Sequence, residues 1–382
     1  MSVLSNLEIL QAYVNDTNEF VNRFDAPTQS NYNAWASAVV EIPEVRNSFC
    51  SYLVNKIGKT YVYNIIANNP LQFLINDTLP FGATVEGIWV EMAKGKAFDS
   101  EGKETLDKKL PDVRVLYHYI NSDLIYKVSV SDKELRKAVF NEGGLAALVQ
   151  AITNTLYQGM RHDIYLYLKQ LLADYSGYFY VKVPEFDGTE TTAKDVGKTI
   201  KASVLYADFD NTLFNGAGVI NNVPTGNGLI IMTVAASVSL DFDYLANVFN
   251  LPKTELERRT VIVDNIAGFT DAICLYLDER VFKNYIVGES LETQRNAEGR
   301  FTNYTLVREA LYSMCKYMTA IAFVTSDVID VKFNANTGTG EMVTKTALNN
   351  RKFCLPINRF TAPQNKKFVG WSLTADGTGD IY

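Results

Sequence analysis

From Leu145 to Tyr175 apolar residues recur at Leu148, Ile152, Leu156, Met160, Ile164, Leu168 and Leu171, with no proline between them. Steps of three and four residues fit one face of an α-helix and do not fit a strand. At about 1.5 Å per residue such a helix is roughly 45 Å long. No heptad repeat accompanies it, so a coiled coil is excluded. The stripe reads as the core side of a scaffold helix around which a larger body packs. Just upstream, Ser131-Asp132-Lys133-Glu134 is a capping box, which predicts a shorter preceding helix. Gly143-Gly144 separates the two.

The rest of the chain alternates between types. Pro43 to Lys56 reads as a helix and Tyr61–Ala67 as a strand. Strands are predicted at Tyr178–Val183, Leu229–Val234, Val261–Asp264, Ile273–Asp278 and Ala320–Val324. Helices are predicted at Lys194–Tyr206, Phe242–Phe249 and near Thr305–Met314. The fold class is therefore α+β. Residues 1–42 are polar and Asn-rich, with an amphipathic fragment at Leu4, Leu7, Ile9, Leu10 and Val14. They read as an N-terminal arm that packs on a neighbour.

Residues 91–114 stand out by charge. Twelve of these 24 positions are charged, half of each sign, against 21% charged in the whole chain. The flanks Thr84–Val90 and Val113–Tyr119 are strand-like. The stretch reads as a long exposed hairpin with little core of its own, or as a solvated loop.

Composition then narrows the function. The formal net charge is −7 over 382 residues, which argues against a dedicated nucleic-acid grip. Cys50, Cys274, Cys315 and Cys354 lie far apart, without a C-x-x-C pair. They read as buried thiols in a reducing compartment. His118 and His162 are the only histidines, too few for a multi-histidine metal site, and read as structural. The most apolar stretch, Leu229–Val238, is about half a membrane span. The N-terminus lacks the pattern of a secretory leader. The expectation is a chain made and kept in a cytoplasm, without membrane or cofactor.

Two strings resemble catalytic motifs. Asp208-Phe209-Asp210-Asn211-Thr212 matches D-x-D-x-T, the nucleophile and acid/base pair of magnesium-dependent phosphohydrolases of the haloacid-dehalogenase type. That chemistry needs the pair at the end of a buried strand. Here Val196, Ile200 and Val204 precede it at helical spacing, so a polar turn is expected. Asp195-Val196-Gly197-Lys198-Thr199 resembles the end of a phosphate-binding loop, but Thr192 stands where the first glycine belongs. No catalytic, cofactor-binding or metal residue is assigned.

Residues 331–382 carry seven basic and three acidic residues. They read as a separate basic unit of short strands.

The order of elements, polar arm, charged hairpin, very long helix and mixed body, resembles the tailed-phage major capsid proteins of the Hong Kong 97 fold. Short blocks sharpen the resemblance: Asn68-Asn69-Pro70-Leu71, Leu79-Pro80-Phe81-Gly82-Ala83-Thr84-Val85-Glu86-Gly87-Ile88, Leu110-Pro111-Asp112-Val113, Leu240-Asp241-Phe242-Asp243-Tyr244-Leu245-Ala246, Glu292-Thr293-Gln294-Arg295-Asn296 with Gly299, and Ala320-Ile321-Ala322-Phe323-Val324. In this order, over about residues 43–330, they resemble the major capsid proteins of small short-tailed phages of Gram-positive bacteria, the phi-29-like picovirus group. The tail resembles the Listeria–Bacteroides repeat, a β-grasp-like module. Val331-Lys332-Phe333-Asn334-Ala335-Asn336, Leu355-Pro356, Phe360-Thr361-Ala362-Pro363, Lys367-Phe368-Val369-Gly370-Trp371 and Ala375-Asp376-Gly377-Thr378-Gly379 carry that match.

The resemblance implies a layout and a role. Residues 1–42 would be the N-terminal arm, 43–69 a helix and strand of the P-domain, and 70–130 the E-loop hairpin. Residues 131–190 would hold the P-domain spine helix, 191–292 the A-domain, 293–330 the return to the P-domain, and 331–382 an outward surface module. The chain would assemble with itself into hexameric and pentameric capsomers of an icosahedral head around double-stranded DNA. Scaffolding and portal proteins would be partners, DNA would be touched only non-specifically, and the tail would reach the host cell wall. The location would be the virion, after assembly in the bacterial cytoplasm. Some capsids of this fold crosslink a hairpin lysine to a distant asparagine. Lys94, Lys96, Lys103, Lys108 and Lys109 are candidates, but no buried acid is assigned to catalyse the step, so no crosslink is expected. The alternatives are the phosphohydrolase built on Asp208 and Asp210, and a surface adhesin built on the tail.

Overall fold

The computed structural model describes all residues except 1–4, 18–24, 59–68, 81, 94, 96–109, 142, 185–189, 225, 240–259, 267 and 376–378. Three helices open the chain: α1 (Asn6–Thr17), α2 (Tyr32–Glu41) and α3 (Pro43–Gly58). A two-stranded ribbon follows, β1 (Val85–Val90) with β2 (Val113–His118), then β3 (Ser122–Ser131), α4 (Asp132–Phe140) and the long α5 (Gly144–Asp174). Next come β4 (Phe179–Lys182), α6 (Glu190–Ala207), β5 (Gly228–Thr233), α7 (Val234–Ser239), β6 (Thr260–Val263) and β7 (Ala272–Asp278). The chain continues through β8 (Tyr285–Asn296), β9 (Phe301–Leu311), β10 (Ala320–Val324), β11 (Val328–Val331) and β12 (Lys345–Leu348).

Helix α5 has 31 residues and buries Leu145, Val149, Ile152, Leu156, Met160, Ile164, Leu168 and Leu172 along one stripe. Burying each of the larger side chains contributes about 1.5–3 kcal/mol. The stripe lies over the inner face of a three-stranded antiparallel sheet in the order β3-β9-β8. The expected capping box at Ser131 forms in full and starts α4. Gly143 adopts φ +69°, which suits glycine. At Gly144 an added Cβ would come within 2.4 Å of the Ala138 carbonyl oxygen, so the close turn between α4 and α5 requires both glycines.

The second sheet is mixed, in the order β4-β10-β7-β5-β6. Alternate residues serve two cores. Ile231, Leu275, Leu277, Ala320, Ala322 and Val324 face the core shared with α5. Ile230, Met232, Cys274, Tyr276, Ile321 and Phe323 face Val196, Ile200 and Val204 of α6. Lys169 of α5 joins the two layers by donating to Asp264 Oδ1 and Oδ2 at 2.9 and 3.0 Å. Burial alone would raise the Asp264 pKa, but hydrogen bonds from Tyr165 and Lys169 outweigh it and hold the carboxyl at about 2.

Three expectations need correction. The segment near Thr305–Met314 is not helical; up to Leu311 it belongs to β9, paired to both β3 and β8. Thr302, Tyr304, Leu306, Arg308 and Ala310 point inward at period two. The alternation was masked because Arg308 fills one inward position, where its Nη1 donates to Glu289 at 3.1 Å.

Residues 1–42 are not a free arm over their described part. Ile9, Leu10, Tyr13, Trp35 and Val39 are buried in the main core of their own chain. The Asn6 side chain donates to the carbonyls of Ala138, Val139 and Asn141 and accepts from the Leu145 amide. It thereby serves the exposed carbonyls at the end of α4 and a free amide at the start of α5.

No boundary falls at residue 331. Strand β11 ends there and pairs with β12, so the ladder joins 328–331 to 345–348. Lys345 is buried and donates to the carbonyls of Thr212, Leu213 and Asn215 at 2.6, 2.6 and 2.9 Å. Burial lowers its pKa to about 7, while three carbonyl acceptors favour the ammonium form. Leu348 enters the main core, and Arg351 stacks its guanidinium 3.6 Å from the Phe269 ring centroid. Beside these contacts with the body, the tail has a small aromatic cluster of its own, Trp371 against Phe333, Phe360 and Phe368.

The predicted strand Tyr61–Ala67, the helix Phe242–Phe249 and the five hairpin lysines lie outside the described residues.

Candidate assembly surface

The β1–β2 ribbon carries apolar side chains on both faces. Its register pairs Gly87 with Leu116 and Trp89 with Arg114 on one face, and Ile88 with Val115 and Val90 with Val113 on the other. The first face rests on the body. Trp89 and Leu116 pack against Ala217, Val219, Cys315 and Tyr317, and Trp89 Nε1 donates to the Ile220 carbonyl at 3.2 Å. The second face points away from the body. Ile88 is 59% exposed, and Val90, Val113, Val115 and Tyr117 are also exposed. Beyond the paired strands, Met92 and Leu110 extend the same apolar character, with Leu110 76% exposed.

A contiguous apolar strip in water is costly and marks a contact surface. A two-stranded ribbon is also marginal by itself. Strand-forming residues drive the pairing, and among the described residues nothing within the ribbon covers its outer side. Such a surface acts by shape and burial, so it calls for no reactive group.

The ribbon is anchored at its base by His118. The imidazole is 4% exposed, and its Nδ1 lies 2.7 Å from Ser313 Oγ. Its Nε2 is buried without a hydrogen-bond partner among the described residues. Burial, with Lys283 adding to it, holds the His118 pKa below the usual 6.5. As pH falls through about 6.5 the unfolded chain takes the proton first, so stability falls. The loss continues until the folded histidine itself titrates. Thermal unfolding followed from pH 7 to pH 5 is expected to show a steeper fall in Tm for the native chain than for His118→Gln; equal slopes would show that His118 carries none of the acid sensitivity.

The two carboxylates of the D-x-D-x-T string are elsewhere. Asp208 and Asp210 are exposed in the turn that follows α6, and Asn222 donates to Asp210 at 3.1 Å. No strand delivers them, and the phosphohydrolase reading loses the geometry it requires. Gly197 and Lys198 lie within α6, not in a loop between strand and helix, which removes the phosphate-loop reading. Among the described residues no group of three or more His, Cys, Asp or Glu side chains is arranged to hold a metal. No described helix is long and apolar enough to cross a membrane. Cys50, Cys274 and Cys315 are buried thiols as expected, whereas Cys354 is half-buried.

Comparison with known proteins decides what the surface belongs to. The family described as Phi29-like phage major capsid protein matches residues 10–324. The chain belongs to that family. Among curated relatives, the major capsid protein of Bacillus phage GA-1 is 26% identical over 341 residues, covering 86% of this chain and 71% of the relative. That of Bacillus phage B103 is 26% identical over 336 residues, covering 86% and 74%. A solved capsid structure of Staphylococcus phage Andhra superposes with TM-score 0.56 at 10% identity, over 70% of this chain and 88% of that one. A chain from the head-fiber and inner-core structure of bacteriophage P68 superposes with TM-score 0.51 at 12% identity, over 70% and 87%.

The protein is thus a phage major capsid protein and a component of the virion capsid. Its mixed α+β fold is that of phage capsid proteins. For a capsid subunit, an exposed apolar ribbon is the kind of surface self-assembly needs. Sequence reading left a hairpin and a solvated loop both open and missed the two-sidedness of the ribbon. The signal was present in Ile88, Val90, Val113, Val115 and Tyr117, which share one face once the register is fixed.

Proposed function

We propose that this capsid protein follows the Hong Kong 97 layout and that the outer face of its ribbon is the main contact with a neighbouring copy. Residues 70–130 then form the E-loop hairpin lying across that neighbour, and α5 is the spine of the P-domain. Residues 191–292 form the A-domain towards the capsomer centre, and β9 with β10 returns the chain to the P-domain. The observation that carries the reading is the exposed row of Ile88, Val90, Val113, Val115 and Tyr117. These side chains are roughly half exposed, so each gains about 1 kcal/mol when a neighbour covers it, and a closed shell repeats that gain at every subunit.

Hexameric and pentameric capsomers, a scaffolding protein and a portal are the partners this role calls for. DNA is met without sequence readout. The end of the tail has a second role in this reading. Lys366 and Lys367 are exposed beside Phe368 and Val369, and their charge suits anionic wall polymers. Hydrogen exchange compared between dissociated subunits and assembled shells tests the central contact. Amides of residues 86–90 and 113–117, already slowed in subunits by their own ladder, are expected to slow markedly further in shells. Equal protection in both states would defeat the proposal.

A further inference from the structure

The residues 354–360 of the tail cross the body side of the ribbon, near Trp89 and Glu91, and tie it to the body. The Cys354 amide donates to the Ser176 carbonyl at 3.0 Å, and the Ile357 amide to the Ala217 carbonyl at 2.8 Å. The Ile357 side chain completes the small core that holds Trp89 and Leu116 of the ribbon. Gly218 adopts φ +67°, and a Cβ there would come 3.0 Å from Pro356 Cβ, so the segment lies directly on the 217–219 loop. Arg359 then joins three parts. Its Nε donates to the Gly218 carbonyl at 3.2 Å, its Nη1 donates to Glu91 Oε1 at 3.2 Å, and its guanidinium lies 5.7 Å from the Trp89 ring centroid. Trp371 holds the segment from outside by donating its Nε1 to the Pro356 carbonyl at 3.2 Å.

We propose that residues 354–360 are an intramolecular strap that fixes the direction of the assembly ribbon before a neighbour arrives, with Arg359 as its clasp. The physical argument is preorganisation. A two-stranded ribbon is marginal without packing, and ordering it at the moment of contact subtracts from assembly. The strap supplies that ordering in advance. It is a positioning element, since Arg359 faces the body side of the ribbon and not the face left open for a neighbour. The strap itself rests only on these contacts; its effect on assembly also rests on the ribbon being the contact with a neighbour.

Two variants separate the strap from general misfolding. Arg359→Ala removes the clasp, and Glu91→Gln weakens it from the ribbon side without touching the tail. In dissociated subunits, exchange of the amides of residues 87–90 and 114–117 is expected to speed up about tenfold in Arg359→Ala and about threefold in Glu91→Gln, while amides of α5 exchange as before. The charge swap Glu91→Arg with Arg359→Glu restores the ion pair but not the donor to Gly218, so it is expected to recover only part of the lost protection. Shell yield is expected to fall in the single variants and recover in part in the swap. Unchanged ribbon exchange in both single variants would overturn the strap. Faster exchange with undiminished shell yield would overturn its part in assembly while leaving the ribbon contact itself untouched.

Discussion

A chain carrying Ile88→Lys and Val115→Asp is expected to fold normally and to form no shells. The two residues are register partners on the outer face of the ribbon and are exposed in the isolated subunit. Ile88 is 59% and Val115 41% exposed there, so their replacement is expected to cost the subunit only about 1 kcal/mol or less. The paired new charges also keep the strands compatible with pairing. In a shell the same positions become buried, and the variant places two charges where apolar groups met. Burying charges without partners outside the ribbon costs several kcal/mol at every contact. Sedimentation and electron microscopy read the result, with Tm as the control. Shells at native yield would mean that the outer face lies free in the capsid.

Ending the chain after Asp330 is expected to lower Tm by at least about 10 °C or to leave the protein insoluble. A division of the molecule at residue 331 would make that deletion harmless. The contacts oppose such a division. The deletion removes the whole of β12, the buried Leu348 and the Lys345 ammonium that serves three carbonyls. Leu348 alone is worth about 1.5–3 kcal/mol, and each buried acceptor left without a donor costs about 1–3 kcal/mol. The sum exceeds about 5 kcal/mol, and a large domain loses about 2–4 °C per kcal/mol. Ending the chain after Thr361 spares all of these groups and removes mainly the Trp371 cluster, so its expected cost is about 1–2 kcal/mol. Two deletions with equal, small effects would restore the boundary at 331.

The contrast shows what local sequence carried. Helix α5 was legible because its stripe repeats at one period for 31 residues, which leaves no competing solution. The capping box at Ser131 was legible because both of its bonds are local. Strand β9 was not, because Arg308 sits among its inward residues and finds Glu289 across the sheet on β8. The burial of Asn6 was equally hidden. Its partners, Ala138 to Leu145, lie more than a hundred residues away, and polar composition near the N-terminus suggested a free arm. In the tail, basic composition pointed to an independent unit, yet one of its lysines is among the most buried cations of the body. The ribbon was half legible. Its charged connection and strand-like flanks were visible, but which residues share the outer face depends on a register that sequence does not state.

In the proposed arrangement the face bearing Ile88, Val115 and Tyr117 meets a second copy of the chain. The most direct test is a cryo-electron microscopy reconstruction of assembled shells at side-chain detail. These three residues are expected to be solvent-excluded against a neighbouring subunit, with Trp89 still against its own body and Arg359 still on Glu91. A ribbon whose outer face stands in solvent, or folds back on its own subunit, would contradict it.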